Sequence, residues 1–206
     1  MIGGDVLVTK KMIYIVLAIV ICVLAYAGWK LTSRNAYESA EYSVLESHGK
    51  IELREYPDLM LVTTEMGTRV QGDDGSFGRL FRYISGGNQN GQKVAMTTPV
   101  FMDPKSDEST GQMGFVIPKE EAASTIPHPT NERVHVTERP GGKFAAIRFA
   151  GKLTKTIQAQ QQAKLEDWMQ EQGHVAAGDA EVAGYDPPWT PGPLRRNEIL
   201  IRLAEL

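Results

Sequence analysis

A single cysteine, Cys22, is the whole thiol complement of this 206-residue chain. It excludes any disulfide within the chain, and beyond residue 22 there is no thiolate to serve as nucleophile or metal ligand. Ile21 stands where a lipidation signal needs a small residue, so Cys22 reads as a small apolar side chain. Enzyme signatures are missing too: there is no G-x-S-x-G elbow, H-E-x-x-H helix, Walker loop or C-x-x-C pair. The four histidines (His48, His128, His135 and His174) lack metal-ligand spacing. His135 alternates with Val134 and Val136, which points it away from a core, whereas His48 stands beside the first hairpin. Gly86–Gly91 imitates a phosphate loop, but it lacks the Lys-Ser/Thr pair and opens no helix, so it reads as a turn. Basic charge is also scarce. The net charge is −3, and without residues 1–34 there remain 18 basic against 24 acidic residues, about −6. Such a body neutralises phosphates poorly, which argues against a nucleic-acid partner. With no acid/base pair or nucleophile identifiable, the chain reads as a binding protein and not an enzyme.

Long hydrophobic runs are equally rare, and the one present, Met12–Trp29, carries no charge. Its eighteen residues would rise about 27 Å as a helix, close to the roughly 30 Å of a bilayer's hydrocarbon core. Lys10 and Lys11 precede it, Lys30 and Arg34 follow it, and Tyr14, Tyr26 and Trp29 lie near its ends, where aromatic rings favour the interface. A rival reading is a secretory signal peptide with Ala25-Tyr26-Ala27 as the cleavage site. The uncleaved anchor is preferred because the apolar run continues through that site. The expected organisation is a membrane anchor or signal peptide over 1–34, a polar linker over 35–41 and a ligand-binding domain over 42–206. The body would lie on the non-cytoplasmic side, tethered by a single pass, or else secreted or periplasmic after cleavage.

Beyond the linker, Lys50–Tyr56 alternates strictly, with Ile51, Leu53 and Glu55 sharing a face, and so predicts a strand. Glu55 is thereby drawn towards the interior, either paired with an arginine or lining a pocket. Leu59–Met66 is β-rich and apolar. Phe77, Leu80, Phe81 and Ile84 fall at i, i+3, i+4 and i+7, one stripe of a short helix that Asp74 or Ser76 could cap and Gly86-Gly87 ends. Extended structure resumes over Gln92–Asp103, with Pro99 implying an edge or bulge. Further strands are expected at Gln112–Ile117, Arg133–Glu138, Lys143–Phe149, Ala180–Asp186 and Asn197–Leu203, with a loop over Pro118–Thr130. Thr154–Gln172 is the clearest helix, with Ile157, Leu165, Trp168 and Met169 on one side. Strand 59–66 with helix 76–85 and strand 143–149 with helix 154–172 suggest a duplicated unit. Short turns between strands predict an α+β fold: a curved, barrel-like antiparallel sheet, pseudo-twofold, with two flanking helices, preceded by one transmembrane helix. A groove between helix and sheet is a natural seat for a flat apolar ligand.

Two stretches are chemically rich. Lys93-Val94-Ala95-Met96-Thr97-Thr98-Pro99-Val100 combines a cation, a thioether and hydroxyls. Gly184–Glu198 is stiffened by four prolines and displays Tyr185 and Trp189 ahead of Arg195 and Arg196, guanidinium groups suited to carboxylates. Together with Tyr83–Asn88 and Glu138-Arg139 before a Gly-rich turn, these segments closely resemble the SOUL heme-binding family, in the same order and over about Tyr42 to Leu203. The resemblance implies non-covalent binding of heme or another tetrapyrrole. The macrocycle would lie against the first helix at Phe77, Phe81 and Arg82 and against the loop before the last strand at Tyr185, Trp189, Thr190 and Arg195. Some members carry a histidine, proposed as axial iron ligand, where this chain has Glu55, and some carry a lysine near Thr190. The resemblance therefore implies apolar contact and propionate pairing, with the axial ligand left open and no protein metal site. The expected function is a membrane-tethered tetrapyrrole carrier or buffer. The alternative is a module for another apolar small molecule or a protein partner, with heme binding only opportunistic.

Overall fold

Along Gly142–Ala150, Ala145, Ile147 and Phe149 pack on one side of the backbone while Phe144 and Ala146 pack on the other. A strand that is apolar on both faces must lie inside a sheet and be covered twice, and this requirement organises the body. The computed structural model describes residues 12, 14–23, 26, 37–67, 75–103, 111–187 and 190–204. The chain divides into two units, Met1–Ala36 and Tyr37–Leu206.

The second unit opens with β1 (Glu38–Ser39), β2 (Ser43–His48), β3 (Ile51–Tyr56) and β4 (Leu59–Met66). Helix α1 (Ser76–Ile84), β5 (Thr97–Thr98), β6 (Val100–Asp103), β7 (Gly111–Val116) and the one-turn helix α2 (Lys119–Ala122) follow. The chain continues through β8 (Val134–Arg139), β9 (Gly142–Ala150), the long helix α3 (Lys155–Glu171), β10 (Glu181–Gly184), a 3-10 turn at Gly192–Leu194 and β11 (Arg196–Arg202). Nine strands form one sheet in the order β2-β3-β9-β11-β10-β6-β7-β4-β8, with each neighbouring pair antiparallel, while β1 pairs in parallel with β5. Outward from the central β10–β6 pair, β6-β7-β4-β8 on one side matches β10-β11-β9-β3 on the other.

Two connections show that the sheet is strongly curved. β3 and β4 stand six places apart in the strand order, about 29 Å along a flat sheet, yet only Pro57 and Asp58 join them, a reach of at most about 11 Å. β8 and β9 stand equally far apart and are joined only by Pro140 and Gly141. Gly141 is needed there: an added Cβ would lie 2.4 Å from the Tyr56 carbonyl oxygen. The sheet nevertheless does not close. β2 and β8 remain at the two ends of the order, so the expected barrel is a curled, open sheet.

The helix face of the sheet packs Leu53, Val62, Phe115, Ile147, Val182 and Ile199 against Leu80 and Ile84 of α1 and Leu165 and Met169 of α3. The opposite face gathers Tyr56, Leu61, Phe101, Phe144, Ala146, Ala183, Tyr185 and Leu200. Helix α3 starts as its sequence suggests, the Thr154 hydroxyl accepting the Ile157 amide at 3.2 Å. Helix α1 does not. Gly75 is its N-cap at φ 84°, Ser76 is already helical and donates its hydroxyl to the Met113 sulfur at 3.6 Å, and Asp74 lies outside the described residues.

Three further expectations are corrected. The segment read as a linker enters the fold at β1, and Ala40 is buried. Glu55 is exposed, while its neighbours Arg54 and Tyr56 are buried, because the curl covers the face that alternation had given to solvent. The membrane anchor, and with it the single-pass location and membrane partner, is not supported: among the described residues no helix is long and apolar enough to cross a membrane.

Candidate ligand-binding groove

Helix α1 carries two kinds of apolar residue on its stripe. Leu80 and Ile84 point into the core, whereas Phe77 is half-buried and Phe81 is 50% exposed. The two phenylalanine rings stack at 6.1 Å between centroids and 13° between planes, and Phe77 meets Phe115 edge-on at 5.2 Å. An apolar stripe wider than the core needs leaves its margin for something else. Beside that margin runs an apolar groove lined by Phe77, Phe81, Met96, Thr98, Val100, Tyr37 and the segment Gly184–Pro187. Its volume is about 80 Å³.

Neighbouring residues fix the walls at β5, at the loop after β10 and at α1. Thr97 donates its hydroxyl to the Val116 carbonyl at 2.5 Å, securing the strand that presents Thr98, while Met96 and Val100 flank it. The Asp186 carboxylate accepts the Arg196 amide at 2.5 Å, and the Tyr185 amide donates to the Arg196 carbonyl at 3.2 Å, which holds the loop against β11. Asn88 organises the turn after α1: its side-chain amide donates to the Tyr83 and Gln92 carbonyls, and its oxygen accepts the Asn90 and Gln92 amides. Gly87 in that turn has no room for a Cβ, which would lie 2.7 Å from the Arg82 carbonyl oxygen.

Tyr185 is anchored from behind by a buried charge network. Its hydroxyl donates to Glu198 at 2.9 Å, and the Arg196 guanidinium lies 4.0 Å from its ring centroid. Arg54 donates twice to Glu198, at 2.6 and 3.1 Å, and to Glu52 at 2.8 Å; Arg196 donates to Glu198 at 2.6 Å. Burial works against the Glu198 carboxylate, yet the hydrogen bonds and charge of Arg54, with those of Arg196, hold its pKa at about 2. Burial opposes the Arg54 charge as well, and Glu198 outweighs it, raising the pKa of Arg54 above the usual arginine value. Burial pushes the Tyr56 hydroxyl up to about 12 and, with the charge of Glu198, lifts Tyr185 further. Tyr185 therefore stays neutral and fixed.

The residues expected at the site do not all come together. Phe77, Phe81 and Tyr185 converge on the groove. Arg82 instead lines a second, polar groove across α1, with Arg79, Asn131 and Arg133. Thr190 is buried, its hydroxyl without a hydrogen-bond partner among the described residues, and its carbonyl accepts Arg195 Nε at 2.8 Å, which turns Arg195 back onto its own loop. Trp189 lies outside the described residues. Tyr37 gave no signal in the sequence, because its polar surroundings read as linker. Met96 and Val100 lay inside a stretch already distinguished by its chemistry, but nothing in their spacing assigned them to a pocket. No histidine lines the groove, and among the described residues no three His, Cys, Asp or Glu side chains are grouped to hold a metal. His48 sits elsewhere, 3.3 Å from Glu46 and packed on Trp168.

A curled antiparallel sheet with helices on one face is a fold shared with several solved proteins. The C-terminal domain of EcmrR is similar with a TM-score of 0.54 at 12% identity, over 80% of this chain and 99% of that one. A protein described as a hydrolase from Listeria innocua is similar at 0.51 and 9%, over 78% and 94%. At such identities the likeness is one of fold. Sequence relationship is more specific. The family described as SOUL heme-binding protein matches residues 37–202, and the chain belongs to that family. Heme-binding protein 1 of Xenopus tropicalis is 28% identical over 155 residues, 72% of this chain and 80% of the relative. Heme-binding protein 1 of Mus musculus is 30% identical over 127 residues, 59% and 66% respectively.

Proposed function

We propose that the chain binds heme or a related tetrapyrrole without covalent attachment, as a carrier or buffer and not as an enzyme, at the groove between α1 and Gly184–Pro187. The observation that carries this reading is the convergence of Phe77, Phe81 and Tyr185, from distant parts of a chain in this family, around one apolar groove. The stacked phenylalanines and the fixed Tyr185 ring suit a flat aromatic face. With no histidine in the lining, apolar contact supplies the affinity, and a metal-free porphyrin binds about as well as hemin. Burial at about 25 cal/mol per Å² supports micromolar binding after association costs. Arg195 and Arg196 are engaged within the protein, so the propionates face solvent in this reading.

Titration of hemin and protoporphyrin IX into the full chain tests the proposal. The expected result is a shifted Soret band for hemin and quenched tryptophan fluorescence for both, with affinities within about tenfold of each other. Unchanged spectra at tens of micromolar ligand would overturn it. The groove's 80 Å³ favours a second reading, a smaller apolar aromatic ligand, since drug-sized pockets run to about 300 Å³ or more. Native mass spectrometry showing a co-purified molecule of that size, with no porphyrin response, would select it.

A further inference from the structure

The groove is narrower than the ligand its walls suit, and its walls are not held equally. Phe77 and Phe81 belong to a packed helix, Val100 to β6, and Gly184 to β10, and both strands lie in the middle of the nine-stranded sheet. Tyr37 belongs to a different kind of element. From it the chain runs through β1 to Tyr42, tied by a two-residue parallel ladder to Thr97–Thr98 and by the Ala40 amide on the Thr98 carbonyl at 2.7 Å. Its ion pair, Glu41 with Lys119 at 3.0 Å, joins side chains 67% and 78% exposed, a geometry worth little. Between Tyr37 and Tyr42 only Ala40 is buried. Beneath this segment lies another cavity of about 160 Å³, reaching from Glu38–Glu41 to Leu59, Val116 and Lys119. The segment thus has a groove at its first residue and a void below its middle.

We infer that Tyr37–Tyr42 is a strap that sets the size of ligand the groove admits, and that it swings aside to receive a flat aromatic molecule of macrocycle size. This rests on the groove being the ligand site. Lifting the strap orphans no charge. Tyr42 covers Arg54, its ring centroid 4.3 Å from the guanidinium carbon, and hydrogen-bonds Arg196, but both arginines stay paired with Glu198 when it leaves. What is lost is one short ladder, the Lys119 amide and Thr98 hydroxyl bonds to Glu38 at 3.3 and 3.5 Å, the burial of Ala40, and the contacts of Tyr42 with Arg54, Arg196 and Tyr56, the last with ring centroids 5.1 Å apart. Segments held by so little open far more often than the sheet beneath them. Tyr37 and Tyr42 are therefore specificity-determining residues that the helix and the proline-rich loop do not reveal.

A reversible lock tests the inference. Ser39 and Thr98 are register partners in β1 and β5, and adjacent strands lie about 4.8 Å apart, within reach of a disulfide. The full chain carrying Cys22→Ser, Ser39→Cys and Thr98→Cys is titrated with protoporphyrin IX, oxidised and then reduced with a phosphine. Oxidation should slow association by about tenfold or more, and reduction of the same molecules should restore it. Equal rates in both forms overturn the strap and leave the binding reading standing; no binding by the parent chain removes the porphyrin reading and the strap with it. Hydrogen exchange supplies a check that needs no ligand. The Ala40 amide should exchange at least about a hundredfold faster than β9 amides, and equal protection would refute the strap by itself.

Discussion

Replacing Glu198 with Gln should be the most damaging isosteric change in the body. The carboxylate is fully buried and accepts from Arg54, Arg196 and Tyr185. Glutamine keeps the volume but leaves Arg54, 1% exposed, with Glu52 as its remaining carboxylate partner. Breaking one partner of a buried pair costs about 3–5 kcal/mol. Proton linkage gives a similar figure. Lowering the carboxyl from its ordinary 4.5 to about 2 is worth about 3 kcal/mol at neutral pH. Because the folded-state pKa is depressed, this stability is present above pH 4.5 and is lost as the pH falls from 4.5 towards 2. Urea unfolding of parent and Glu198→Gln should therefore differ by about 3 kcal/mol at pH 7 and by roughly half that near pH 3, other carboxylates titrating alike in both proteins. The melting temperature should fall by about 6–12 °C at pH 7. A difference below about 1 kcal/mol at pH 7, or one that stays constant from pH 7 to pH 3, would refute the assignment of Glu198 as the charged centre of the network.

Other outcomes follow from the same geometry. Phe81→Ala removes a half-exposed ring, so urea unfolding should change by less than about 0.5–1 kcal/mol while porphyrin affinity, read by tryptophan quenching, falls by about tenfold. Arg82→Ala should leave that affinity within about twofold, because Arg82 faces the polar groove across the helix; a loss of tenfold would return it to the site. Gly141→Ala forces a Cβ against the backbone of Tyr56, Pro57 and Asp58, and should destabilise the body by about 2 kcal/mol or more in urea. Thr154→Ala should cost about 1 kcal/mol through loss of the α3 cap, measured the same way.

Periodicity located most elements because the short-range rules that set them were visible in the residues themselves. The expected strand at 143–149 and helix at 154–172 correspond to Gly142–Ala150 and Lys155–Glu171. Period-two alternation reports which side of a strand a residue takes, but not how many sides are covered. Arg54 and Tyr56 consequently looked like a solvent face, and Glu55 like the inward one. β2 escaped notice for a related reason: Ser43–His48 is exposed along its length and carries no apolar alternation.

Taken alone, the sequence determined the family through ordered local motifs, the antiparallel α+β class through short turns between apolar runs, and the aromatic pairing of Phe77 and Phe81 through helical spacing. Tertiary structure decided the curl that buries the second face of the sheet and the pairing of Arg54 with Glu198 across 144 residues of chain. It also placed Tyr37 in the groove and Arg82 outside it. Spacing along the chain fixes which residues share a face over a turn or two. Which faces meet depends on curvature and long-range pairing, and these are properties of the assembled sheet as a whole.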